Sequence, residues 1–127
     1  MSDYQMGLAI ATLWQEARGC SEFEQEAVAH VILNRMRLKY LSNGTIAGTV
    51  LRKYQFSGWM NDEIARHALM YAATDVLGLS RIWARALADA DVTDGAVLYY
   101  TPDIPAPDWV EGSVLTLTTP NFLFYKP

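Results

Sequence analysis

Met6-Gly7-Leu8-Ala9-Ile10-Ala11-Thr12-Leu13-Trp14-Gln15-Glu16-Ala17-Arg18-Gly19 is an apolar segment that closes on one carboxylate and a glycine. Met6, Ile10, Leu13, Trp14 and Ala17 recur at three and four residues, the spacing of a single buried helix face. At about 100° per residue, Glu16 falls on the edge of that stripe, where a carboxylate lines a cleft. Gly19 supplies a left-handed residue that stops the helix, so Glu16 is expected in the last turn beside unpaired carbonyls. The helix dipole disfavours negative charge there, and partial burial against Trp14 adds to it, so a raised carboxyl pKa is expected. A carboxylic acid that holds its proton toward neutrality is a candidate general acid. The competing reading of the same spacing is a solvated helix-end glutamate in a weak surface ion pair with Arg18.

Outward from this segment, the chain of 127 residues is expected to form one domain, residues 1–127, with enough length for a proper core. A composition of 51% hydrophobic and 19% charged residues is that of a folded protein and excludes a disordered one. Net charge is −4, and the basic residues are dispersed apart from Arg35-Arg37-Lys39 and Arg52-Lys53, which argues against nucleic acid as a partner. The uncharged stretches are too short to span a bilayer, so no membrane insertion is expected. No basic region precedes an apolar run at the N-terminus, so no signal peptide is expected. The single Cys20 excludes an internal disulfide, and with only His30 and His67 beside it no metal site and no cofactor are expected.

Ser21-Glu22-Phe23-Glu24 reads as a capping box that starts a second helix, expected to run to about Leu41 and to be stopped by Asn43-Gly44. Glu22, Glu24 and Glu26 at its start and Arg35, Arg37 and Lys39 near its end match the helix dipole. Arg35 falls on the core-facing side, its stem covering apolar surface, while His30, Asn34 and Arg37 share a polar face. Thr45 caps a short helix over residues 46–51, and Tyr54 to Trp59 reads as an extended or looped segment. Asn61 caps a helix from Asp62 to about Leu77, and Ser80 starts another that runs to about Ala90. Strands are expected at Ala96–Tyr100, Val114–Thr118 and Phe122–Tyr125, with Pro102, Pro105 and Pro107 holding the intervening chain irregular. The fold class is therefore α+β, mainly helical, with small β elements late in the chain.

Glu16-Ala17-Arg18-Gly19, Ala27-Val28-Ala29-His30-Val31-Ile32-Leu33-Asn34-Arg35, Gln55-Phe56-Ser57 and Gly95-Ala96-Val97-Leu98-Tyr99-Tyr100 occur in this order. In these blocks the chain resembles the SleB-type cell wall hydrolases, the spore-cortex-lytic and related phage enzymes of the lysozyme-like superfamily. The resemblance extends over nearly the whole chain and implies a lysozyme-like, lytic transglycosylase-type domain. It implies that Glu16 is the catalytic acid and that the partner is peptidoglycan, cut between N-acetylmuramic acid and N-acetylglucosamine to leave a 1,6-anhydromuramic end. One departure is visible: the family often ends in a His-x-Phe-Tyr block, and here Phe122 stands where the histidine would be.

Glycosidic cleavage needs a proton for the leaving oxygen and a group to handle the oxocarbenium-like carbon, for which ordinary glycosidases use two carboxylates. No second acid near Glu16 has a clear reason to face it, since Asp62, Asp94, Asp103, Asp108 and Glu111 sit at helix starts, turns and prolines. A lytic transglycosylase avoids the need, because the muramic C6 hydroxyl attacks the anomeric carbon and one glutamate serves as acid and then base. Gln55 and Ser57 are candidates for binding substrate N-acetyl groups. Of Tyr99 and Tyr100, which alternate along a strand, one is expected to face the cleft. Trp109 and Tyr125 are candidate sugar platforms, and Asn34 either anchors structure or touches glycan. Two other readings stand beside this one: a hydrolytic muramidase or glucosaminidase, and a non-catalytic glycan-binding or phage structural protein. A monomer acting on the bacterial wall, released from the cytoplasm as a phage endolysin, fits the size and the absence of a wall-binding module.

Overall fold

A computed structural model describes residues 3–127. Helix α1 spans Asp3–Ala17, and Leu8 to Leu13 are all buried, because α2 (Glu22–Leu38), α3 (Ile46–Val50), α4 (Asp62–Thr74) and α5 (Leu79–Ala88) all pack against it. A helix wrapped on most sides loses the clean two-faced pattern of a surface helix. Its C-terminal carbonyls at Trp14 and Gln15 accept from the Arg18 guanidinium at 3.1 and 3.3 Å, a basic side chain satisfying the orphan groups of a last turn.

Ser21 caps α2 as expected, its Oγ accepting from the Glu24 N–H at 3.2 Å. The Glu24 carboxylate answers with a backbone hydrogen bond from Ser21, the reciprocal half of the capping box, and also reaches the turn between the last two strands. Helix α2 stops at Leu38, short of Leu41, where Lys39 turns left-handed (φ 52°) and the Tyr40 N–H returns to the Arg35 carbonyl at 2.9 Å. Helix α4 likewise stops before Leu77. Asp75 turns left-handed (φ 49°), and its carboxylate accepts from the Leu79 and Ser80 N–H groups at 2.7 and 3.0 Å. One residue thus ends α4 and caps α5.

The strands are β1 (Leu98–Tyr100), β2 (Val114–Thr118) and β3 (Leu123–Lys126), antiparallel in the order β1-β3-β2, with a bulge between Leu115 and Leu117. Residues 54–59 contain no strand. A turn leads into a 3₁₀ segment at Ser57–Met60, held on α1 by the Trp59 indole N–H donating to Thr12 Oγ1 at 3.0 Å. Gly58 permits this approach: a Cβ there would lie 2.2 Å from Gln15 Oε1. Among the described residues no helix is long and apolar enough to cross a membrane.

Candidate active site

Glu16 lies next to the end of α1, half-buried, and the Tyr99 hydroxyl donates to its Oε1. Burial pushes the Glu16 carboxyl up; the Tyr99 hydrogen bond and the positive field of Arg35 pull it partly back, and the net shift is upward. The direction matches the sequence expectation, but the environment differs. Trp14 takes no part in it, stacking instead on Tyr71 with the Arg18 guanidinium 4.1 Å from its ring centroid. Arg18 is therefore spent on α1 and Trp14 and forms no ion pair with Glu16.

Strand alternation settles the two tyrosines. Tyr99 points at Glu16 and packs edge-on to Phe122, ring centroids 5.3 Å apart. Tyr100 points to the other face, where it stacks on Tyr125 and meets Trp109 edge-on. Burial, followed by the Glu16 charge and hydrogen bond, holds the Tyr99 phenol well above its ordinary pKa, so it is present as a donor.

Arg35 is the site residue that sequence reasoning assigned to packing alone. Its stem does cross the core, but its Nε–H donates to the Val97 carbonyl at 2.7 Å and Nη1–H to Gln55 Oε1 at 3.3 Å. The guanidinium thereby joins α2, the β1 approach and the segment before the 3₁₀ turn. A cavity of about 340 Å³ opens beside it, lined chiefly by Arg35, Tyr40, Tyr54, Gln55, Tyr99 and Trp109. Glu16 does not line this cavity; Tyr99 does, and its hydroxyl connects the two. The signal for Arg35 in the sequence was a basic residue at a core-facing helical position, which requires a polar destination.

The other expected site residues are distributed as follows. Gln55 and Trp109 line the cavity. Ser57 is exposed at the start of the 3₁₀ turn and lies outside the lining, because the chain turns there instead of extending. Tyr125 is buried between Tyr100 and Trp109 and presents no open face as a platform. Asn34 is buried and its amide N–H groups go to Asp91 Oδ2 at 2.7 Å and the Ala96 carbonyl at 2.9 Å, fixing the 91–96 turn that leads into β1. Both amide protons are thus taken up within the chain.

The Cell Wall Hydrolase family matches residues 19–125. The chain belongs to that family. The match begins after Glu16, which lies outside the matched segment. No curated protein matches the chain. Among solved structures, the catalytic domain of the germination-specific lytic transglycosylase SleB from Bacillus anthracis superposes with a TM-score of 0.80 at 21% identity, covering 99% of this chain and 97% of that one. The catalytic domain of the Bacillus cereus SleB protein gives 0.79 at 22% identity, covering 98% and 91%. The cell wall hydrolase thus has the mainly helical α+β fold of the SleB catalytic domains, with the small sheet late in the chain.

Proposed function

We propose that this hydrolase cleaves the glycan strand of peptidoglycan between N-acetylmuramic acid and N-acetylglucosamine as a lytic transglycosylase, with Glu16 as both acid and base. The observation that carries this reading is the Glu16 carboxyl, raised in pKa and held by the Tyr99 hydroxyl, next to a cavity that no carboxylate lines among the described residues. A glycosidase of the ordinary kind uses two. The structural likeness to SleB, one of whose catalytic domains is described as a lytic transglycosylase, supports the same choice.

In this reaction Glu16 gives its proton to the glycosidic oxygen as the bond to the muramic anomeric carbon breaks. The muramic C6 hydroxyl then bonds to that carbon, and its proton passes to the Glu16 carboxylate. The sugar ends as the 1,6-anhydro form, no water is consumed, and Glu16 regains the proton it gave. Tyr99 holds the carboxyl in place and stabilises its ionised form between the two transfers. Gln55 and Trp109 are the residues proposed to meet the substrate in the cavity, Gln55 through its amide nitrogen and Trp109 through its ring. Action at the wall as a monomeric endolysin, with no membrane insertion and no nucleic acid partner, is part of the same proposal.

Mass spectrometry of soluble products from purified peptidoglycan tests the reaction. Anhydromuramic ends from the wild type and none from Glu16→Gln are expected; reducing muramic or glucosamine ends would overturn the transglycosylase reading in favour of a hydrolase with a second acid.

A further inference from the structure

Arg35 is 4% exposed, and a cation that deep in a protein requires compensation. It finds two neutral acceptors, Val97 O and Gln55 Oε1, and the Phe56 ring, whose centroid is 5.0 Å from the guanidinium carbon. Among the described residues no carboxylate comes within ion-pair distance of it, and its remaining donors have no protein acceptor. The field of Glu16 reaches it only when Glu16 is ionised, yet an acid must hold its proton to act. In the state ready for reaction, Arg35 is a buried positive charge without a counter-charge.

That charge borders the 340 Å³ cavity. Two further residues of the cavity wall, Leu41 (φ 49°) and Tyr54 (φ 70°), have left-handed backbones although neither caps a helix. Large side chains rarely adopt that conformation, and residues held in it collect at ligand clamps. Trp109 and Tyr40 add an aromatic wall of the kind that suits a sugar ring.

We infer that this cavity is a carboxylate-binding subsite with Arg35 as its cation, and that the group it takes is the lactyl carboxylate of a muramic acid residue freed of its stem peptide. The inference rests on the glycan-cleaving function proposed above. A planar guanidinium with open donors matches a carboxylate in shape and charge. N-acetylglucosamine has no such group, so the subsite places the muramic sugar beside Tyr99 and Glu16 and selects its anomeric bond. The substrate must then come from a reaction that hydrolyses the amide between the lactyl carbonyl and the peptide. Water adds to the carbonyl, the C–N bond breaks, the peptide leaves with a free amine and the carboxylate stays on the sugar.

NMR titration of the full chain carrying Glu16→Gln, at neutral pH, with N-acetylmuramic acid, its methyl ester and N-acetylglucosamine tests this. The acid is expected to bind about tenfold or more tighter than the other two, the effect of a charge-assisted hydrogen bond, and to shift the Trp109 indole and Gln55 amide signals. Adding Arg35→Gln is expected to make the three ligands bind alike; should that variant not fold, the acid-against-ester comparison with Arg35 intact decides alone. Equal affinity for acid and ester, no binding of the acid, or shifts remote from Trp109 and Gln55 would overturn the inference. Failure of the catalytic reading shows up separately, as absence of cleavage by the wild type, which this binding measurement does not use.

Discussion

Glu16 carries a thermodynamic penalty along with the chemical role proposed for it. Its folded pKa lies above the ordinary 4.5, so ionising it disfavours the fold. The penalty is absent below 4.5, where the carboxyl is protonated folded or unfolded, and is fully present once the pH exceeds the folded value. Glu16→Gln is therefore expected to be more stable than the wild type at neutral pH and equal to it in acid, as denaturant unfolding at several pH values will show, while losing about 10²–10⁴-fold in cleavage rate. Tyr99→Phe tests the neighbour. Without the hydroxyl that lowers it, the Glu16 pKa rises further, so the basic limb of the pH–rate profile moves to higher pH while the rate falls about 10- to 100-fold. A slower enzyme with an unmoved limb would make Tyr99 a packing residue only.

Among the elements, the link between the start of α2 and the turn joining β2 to β3 rests on Glu24. Its carboxylate accepts from Thr119 Oγ1 at 2.6 Å, the Asn121 N–H at 2.8 Å and Asn121 Nδ2 at 2.9 Å, all buried or partly so. Burial alone would raise its pKa, but the hydrogen bonds from Thr119 and Asn121 outweigh it and leave it below 4.5. The stability this supplies is complete above pH 4.5 and is lost as pH falls through the lower folded value. Glu24→Ala is expected to cost about 3 kcal/mol, or about 10 °C in thermal midpoint, at neutral pH, with the gap to wild type closing in acid. The pairs from α2 to α5 contrast with this. The Arg81 and Arg85 guanidiniums hold the Glu22 carboxyl at about 2, yet Glu22 and Arg81 are exposed and the pair is screened by salt. Arg81→Ala is expected to leave the urea midpoint unchanged within experimental scatter.

For the molecule as a whole, β3 joins two apolar clusters. Phe124 faces the main core with Leu13, Ile32 and Trp83, whereas the next residue, Tyr125, faces the smaller cluster of Val97, Leu98, Tyr100 and Trp109. Neither side of the strand can be exposed without opening the other, and Arg35 crosses between them to the Val97 carbonyl. Far-UV circular dichroism, which follows the helices, and tryptophan fluorescence are therefore expected to give coincident urea transitions, the behaviour of one cooperative unit. A separate early transition in fluorescence would mean that the late sheet folds as a unit of its own.

The amino-acid sequence by itself determined the helices with their Ser21, Thr45 and Asn61 caps, the β-branched strand Val114–Thr118 and the position of Glu16 in the last turn of α1, because propensity, capping and periodicity act within a few residues. It misplaced the ends of α2 and α4, since Lys39 and Asp75 turn left-handed without a glycine to mark the stop. Which tyrosine meets Glu16, and why Arg35 lies buried in the core, were decided only by the tertiary structure. Strand register and the Val97 carbonyl that receives the guanidinium are set by residues far along the chain, and no local rule couples Glu16 to Tyr99 or Arg35 to Val97. The place of Glu16 was legible because a helix edge is a local property; the cavity near it was not, because it exists only where α2, the segment before the 3₁₀ turn and β1 converge.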